Sequence, residues 1–329
     1  MKRNYYILKS GRLKRKDNTI YFENDEGKKV IPVNDIENIY VYGEVDFNSK
    51  AVNFLSQNNI PMHLFNYYGY YAGTFYPREQ LNSGYMIVKQ VENYLKYDQR
   101  VYIAREMIYS ASYNIVKNLK HYVSKKPVLQ EHIEKIEAIR DQFVTAFDIG
   151  TIMGLEGSIR NIYYDAFPVI TDNRFEFEER VKRPPDNPMN SLMSFGNSLM
   201  YTAVLGEIYN TQLNPTISYL HEPGERRFSL SLDISEIFKP IIVDRIIFKL
   251  INNNMITEDH FLKELNYCYL NDKGKQIFLK EFDEKMNSVI EHRNLEKNVS
   301  YRTLIRLELY KLIKHLTGDQ SYEGFKMWW

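Results

Sequence analysis

Cysteine is almost missing from this chain: Cys268 stands alone among 329 residues. That excludes an intrachain disulfide and a cysteine-built zinc site, and it fits a reducing compartment. The surrounding stretch, NYCYLND, carries no nucleophile motif. An excess of either charge is missing too, since 43 Lys and Arg face 42 Asp and Glu for a formal net charge of +1. Binding to a polyanion must then rest on local basic patches rather than on a global field. No apolar run reaches transmembrane length, and the opening MKRNYYILKSGRLKRKD lacks the apolar core of a signal peptide. The expectation is a cytoplasmic protein with no membrane role.

Tyrosine, by contrast, is plentiful: 27 residues, some clustered as in Tyr67, Tyr68, Tyr70 and Tyr71. It suits half-buried strands and interfaces, and base stacking is the second reading. The first 80 or so residues carry short Ile-, Val- and Tyr-rich runs (NYYILK, TIYFEN, KKVIPV, IENIYVYG, IPMHLFN, YYAGTFYP) punctuated by turn residues. One short helix is expected from Ser49 to Gln57. Beyond Pro77 long helix-forming stretches take over, at about 85–122, 129–146, 147–167 and 190–209, and the tail from Glu258 reads as helical again. The division is an α+β chain of two domains: a small β-sandwich-like domain over 1–82 and a larger, mainly α-helical domain over 83–329.

Two places hold chemistry. In SYLHEPGERRFSLSLDISEIFKPIIVDR, His221 precedes a Glu-Pro-Gly turn. Phe228 to Ile234 alternate apolar and polar like a half-buried strand, and the apolar run 237–251 is long enough for a helix. His221, Asp233 and Glu236 then converge on a strand-to-helix corner. In FDIGTIMGLEGSIRNIYYDAF, a helix puts Glu156 on one face with Ile152, Ile159 and Tyr163. A carboxylate in an apolar stripe needs a partner, and two readings stand open: an ion pair with Arg160 or another arginine, or a ligand. Gly154 and Gly157 flank it, as a close backbone or ligand would require. Likewise His221 alone suits a capped or core histidine, and Glu236 alone a first-turn acid.

The motifs GLEGSIRNIYYDAF, KRPPDNPMNSLMSFGNSLMY and LHEPGERRFSLSLDISEIFKPIIVDR, with IPMHLFNYYGYYAGTFYP upstream, follow one another over most of the chain. In that order they resemble the CRISPR-associated spacer-acquisition integrase/endonuclease family. The resemblance implies a β N-terminal domain that forms a homodimer, an α-helical catalytic domain, and a small ferredoxin-like CRISPR-associated subunit as partner. It implies a catalytic divalent-metal site on Glu156, His221 and Glu236, with Asp233 supporting it. Ser218 and Lys239 stand where many relatives have glycine and arginine, but no ligand is lost.

Two carboxylates and one imidazole, with positions left for phosphate and water, suit Mg²⁺ or Mn²⁺. A cation so held stabilises charge on a scissile phosphate. The implied reaction is insertion of captured DNA fragments into a CRISPR array, by attack of a 3′-hydroxyl on the repeat edge. Arg226, Arg227, Lys182 and Arg183 are candidate contacts to double-stranded or branched DNA; a solvated turn with Glu222 and Glu225 as ion-pair partners is the other reading. Two alternatives remain for the whole: a DNA-binding scaffold without catalysis, and a metal-dependent nuclease that hydrolyses without joining strands.

Overall fold

In the computed structural model, residues 2–77, 81–182, 184–224, 228–264, 267–292 and 296–328 are described. Arg183, Arg226 and Arg227, three of the four candidate DNA contacts, lie outside the described residues. The chain falls into two compact units, residues 1–82 and 83–329.

The first unit runs β1 (Arg3–Ile7), β2 (Gly11–Lys16), β3 (Thr19–Asn24), β4 (Gly27–Pro32), β5 (Ile36–Val41), β6 (Val45–Phe47), α1 (Ser49–Gln57), β7 (Met62–Phe65) and β8 (Tyr71–Phe75). Two sheets form, ordered β1-β5-β7-β8 and β4-β3-β2-β6. Their inner faces share one core: Tyr5, Ile7, Ile39, Val41 and Met62 from the first sheet, Leu13, Ile20 and Ile31 from the second, with Phe54 and Leu55 of α1. This is the sandwich-like arrangement that alternation forecasts. α1 starts where expected because Asn48 caps it, its Oδ1 accepting from Ala51 N at 3.1 Å. On the other face of the first sheet, a polar row crosses the strands. Asn38 Nδ2 donates to Asn4 Oδ1 at 3.1 Å, and His63 reaches Thr74 Oγ1 at 2.8 Å.

The second unit is mainly helical: α2 (Gly84–Leu95), α3 (Tyr97–Lys120), α4 (Leu129–Asp141), α5 (Ile149–Ile170), α6 (Pro188–Tyr209), α7 (Ser229–Phe238) and α8 (Arg245–Asn252). The chain continues through β9 (Phe261–Glu264), β10 (Tyr267–Leu270), α9 (Asp272–Asn287), β11 (Val289–His292), β12 (Lys297–Ser300) and α10 (Tyr301–Thr317). The buried helix α3 packs against α4, α5 and α7. α6, buried almost all round, lies close to its neighbours at Gly196, where an added Cβ would sit 2.5 Å from Val243 Cγ1 and 2.8 Å from Phe278 Cζ. Among the described residues no helix is long and apolar enough to cross a membrane.

Two expectations need correction. Phe228 to Ile234 is not a strand: α7 occupies Ser229–Phe238, so the corner is helical on both sides. Alternation misleads there because the serines are buried and the apolar Leu232 is only half-buried. The hydroxyls are satisfied locally, with Ser231 Oγ donating to Phe228 O at 2.6 Å and Ser229 Oγ to Thr216 O at 3.0 Å. The tail from Glu258 is not helical throughout, since β9–β10 and β11–β12 form antiparallel hairpins around α9. Their strands are four residues each, too short for a period to stand out among charged neighbours.

Candidate metal centre

Glu156 sits in the second turn of α5, which Asp148 starts by accepting Thr151 N at 2.8 Å. Ile152, Ile159 and Tyr163 on the same face are buried, while the Glu156 side chain stays 29% exposed. Its Oε1 accepts from Arg160 Nε at 2.9 Å, one helical turn on. The ion-pair reading of Glu156 thus holds. Gly154 and Gly157 are not there for a close backbone, because an added Cβ at either meets nothing within 4 Å. They leave this surface of α5 open.

His221 is fixed by a turn built before α7. Asp233, fully buried in α7, accepts the backbone N–H groups of Tyr219 (2.8 Å), Leu220 (2.9 Å) and His221 (3.1 Å). The same carboxylate meets His221 Nδ1 at 2.7 Å. With Nδ1 donating to Asp233, Nε2 is the ring nitrogen left for a ligand. Ser218 also braces this turn, its hydroxyl donating to His221 O at 2.6 Å. Glu222 pairs with Arg100 at 2.6 Å and accepts from Tyr94 Oη at 2.9 Å, so its cationic partner is on α3.

Glu236 lies one turn beyond Asp233, with its side chain 11% exposed. Oε1 accepts from Lys239 Nζ at 2.5 Å, and Oε2 from the guanidinium of Arg160. Burial alone would raise this carboxyl, yet Lys239 and Arg160 hold it well below the usual carboxylate range. For His221, burial opposes the imidazolium, but Asp233 and, more weakly, Glu236 outweigh it, and its pKa is raised. Each of His221 and Glu236 favours the other's charged form.

The structure therefore joins Glu156 and Glu236 through one guanidinium and joins His221 to Asp233. Among the described residues, no three His, Cys, Asp or Glu side chains stand close enough to form a closed metal-ligand set. Lys182 is exposed in the loop before α6. Sequence reasoning misses Asp244, Asn114 and Asn118. Asp244 is buried, accepts from Tyr163 Oη at 3.0 Å, and has a pKa pushed up to about 6, chiefly by burial. The asparagines lie one helical turn apart on a buried face of α3 that also carries Ser110.

The family model described as "CRISPR associated protein Cas1" matches residues 5–284. The chain belongs to the Cas1 family. It is 52% identical over 328 residues to a CRISPR-associated endonuclease Cas1 of Thermodesulfovibrio yellowstonii, covering 99% of this chain and all of the relative. A solved Cas1 protein from Thermotoga maritima, 44% identical, superposes with a TM-score of 0.86 over 98% of this chain and 99% of that one. A casposase bound to its integration product superposes at 0.85 over 98% of this chain and 93% of that one. At 20% identity, that likeness shows the fold alone. The α+β two-domain architecture is that of Cas1.

In this Cas1 chain the donor chemistry fits a hard divalent cation. Two carboxylates arrive from separate helices, and an imidazole is oriented by a buried carboxylate through its other nitrogen, the arrangement that histidine ligands favour. Arg160 supplies a countercharge to both Glu156 and Glu236.

Proposed function

We propose that the chain is a divalent-metal-dependent DNA endonuclease and integrase that inserts captured DNA fragments into a CRISPR array. The observation that carries this is the meeting of Glu156 and Glu236 on Arg160, beside a His221 whose ring Asp233 fixes. Its setting is a Cas1-family chain with full-length relatives called endonucleases. The solved casposase that shares this fold is bound to an integration product.

Glu156, His221 and Glu236 would hold Mg²⁺ or Mn²⁺, which as a Lewis acid stabilises charge on the scissile phosphate and on the attacking and leaving oxygens. Asp233 keeps His221 Nδ1 as the donor and leaves Nε2 free to coordinate. Lys239 and Arg160 favour the ionised form of Glu236, the form in which it would hold the cation. The incoming nucleophile is a DNA 3′-hydroxyl and the leaving group the 3′-hydroxyl of the cut strand, so one phosphodiester forms as another breaks. Water in place of the hydroxyl gives cleavage alone. Lys182, with Arg183, Arg226 and Arg227, would track the phosphates.

The assembly in this reading is a homodimer made through residues 1–82, with a small ferredoxin-like subunit bridging dimers on DNA. A branched-DNA joining assay with and without Mn²⁺ tests the function. Metal-dependent joined product supports it; cleavage without joining favours the hydrolytic alternative, and binding without either favours a scaffold.

A further inference from the structure

Two asparagines on α3, one helical turn apart, tie both ligand-bearing helices together from behind. Asn114 Nδ2 donates to Ile237 O at 3.0 Å, the carbonyl next to Glu236 on α7. Asn118 Nδ2 donates to Pro240 O at 3.0 Å, just past the end of that helix, and to Tyr163 Oη at 2.7 Å. Tyr163 shares its α5 face with Glu156, two turns on. Asn114 and Asn118 are 0% and 1% exposed, and Tyr163 is 0% exposed.

The junction they grip is irregular. Pro240 has no N–H, so the α-helical ladder that would satisfy the end of α7 cannot run through it, and a π-helical turn over Pro240–Asp244 follows. The remaining bonds of the two carboxamides extend the tie. Asn118 Oδ1 accepts from Arg245 Nε at 3.1 Å, at the start of α8. Asn114 also donates to Phe325 O at 3.0 Å and accepts from Met327 N at 2.8 Å, so the segment 321–328 is seated on the same side chain. Phe325 stacks on Phe238 with centroids 5.7 Å apart and planes 15° apart. Tyr322 closes the segment by donating to the buried Glu308 at 2.6 Å.

We propose that Asn114 and Asn118 are positioning residues that set the register of α7 against α5, and with it the placement of Glu236 relative to Glu156. The C-terminal residues 321–328 complete the clamp by occupying Asn114. Every hydrogen bond of these carboxamides that the structure shows goes to the junction, to α5, to α8 or to that segment. None goes to a proposed ligand, so the effect is exerted through the backbone. The reading rests on the metal site proposed above in its functional meaning, but the mechanical tie does not.

The test uses the full chain carrying Asn114→Ala or Asn118→Ala. A control, Leu13→Ala in the core of the first unit, truncates a buried side chain outside the clamp. Two readouts are taken well below the melting range: Mn²⁺ affinity by calorimetric titration, and amide hydrogen exchange across 233–239. The asparagine variants are expected to weaken Mn²⁺ binding by roughly 10- to 100-fold, as loss of an outer support does. Exchange at the end of α7 should quicken by about tenfold. The control should change neither, even where its melting temperature falls as far. If Asn114→Ala does not fold, Asn114→Asp keeps the acceptor for Met327 and removes the donor to Ile237. Unchanged exchange and unchanged Mn²⁺ affinity in variants that melt lower would overturn the proposal. If the unaltered chain binds no Mn²⁺ in a His221-dependent manner, the metal reading fails by itself, and the exchange arm alone decides the clamp.

Discussion

Asp233 and His221 are joined twice: the carboxylate takes the imidazole Nδ1 at 2.7 Å and the backbone N–H of the same residue at 3.1 Å. With Tyr219 N and Leu220 N also bound, one buried side chain fixes both the turn and the ring. Asp233→Asn keeps the volume but turns an amino group toward donors. The protein should lose about 1.5–3 kcal/mol of stability, the worth of a hydrogen bond to a charged group. Mn²⁺ affinity should fall by roughly 10- to 100-fold. Denaturant melts and metal titration of the same sample check this; wild-type affinity would show that the ring needs no such support.

Arg160 holds Glu156 and Glu236 at once, and its side chain is only 10% exposed. Arg160→Gln removes the guanidinium shared by the two carboxylates and leaves Lys239 as the cation on Glu236. The metal-free protein should be destabilised by about 3–5 kcal/mol, as when one partner of a buried pair is removed. Saturating Mn²⁺ should restore more stability to this variant than it adds to the unaltered chain, since the cation then replaces the guanidinium. Melts with and without Mn²⁺ measure the difference; equal increments would separate Arg160 from the metal site.

His63 is fully buried in the first unit, and burial lowers its pKa from 6.5 to about 3. Below pH 6.5 the unfolded chain takes up a proton that the folded chain refuses until about pH 3. The unfolded state binds more protons in that window, so stability falls as the pH falls across it. The slope from this group approaches about 1.4 kcal/mol per pH unit. His63→Gln should show a shallower acid-side decline than the unaltered chain in matched urea melts. Parallel curves would mean that His63 does not titrate as its burial demands.

Residues 1–82 end in sheet edges at β4, β6, β1 and β8, and unpaired edges invite a partner strand. The homodimer proposed through this unit should appear as a dimeric mass in light scattering of the full chain at micromolar concentration. Cross-links should cluster within 1–82. A monomeric mass, or cross-links confined to the helical unit, would remove the β unit as the interface.

Much of this is legible in the sequence where one physical signal dominates. α1 begins and ends where the Asn48 cap and the apolar face of Ala51, Phe54 and Leu55 indicate. The Glu156–Arg160 pair follows from a carboxylate in an apolar stripe with a cation one turn away. Legibility fails where buried polar groups make helix and strand periods look alike. Ser229, Ser231 and Ser235 are all buried in α7, so polarity no longer marks the outer face. Lys239 reads in sequence only as a departure from the family, yet it pairs with Glu236 three residues away. The asparagine clamp is hidden for a different reason: its partners are backbone carbonyls about 120 residues away in sequence, and carbonyls carry no letter. The segment 321–328 is hidden in the same way: Tyr322, Phe325 and Met327 are buried, with the backbone of Phe325 and Met327 bonded to Asn114, more than 200 residues away.

The most direct test of the central claim is strand joining on branched DNA by the unaltered chain and by His221→Ala, with DNA binding followed on the same samples. His221 contributes a ligand nitrogen, not a phosphate contact, in this account. The substitution should therefore abolish Mn²⁺-dependent joining and cleavage while leaving DNA affinity within about twofold, well under the tenfold that 1.4 kcal/mol represents. Full joining activity in the His221→Ala protein would contradict the assignment of the metal site.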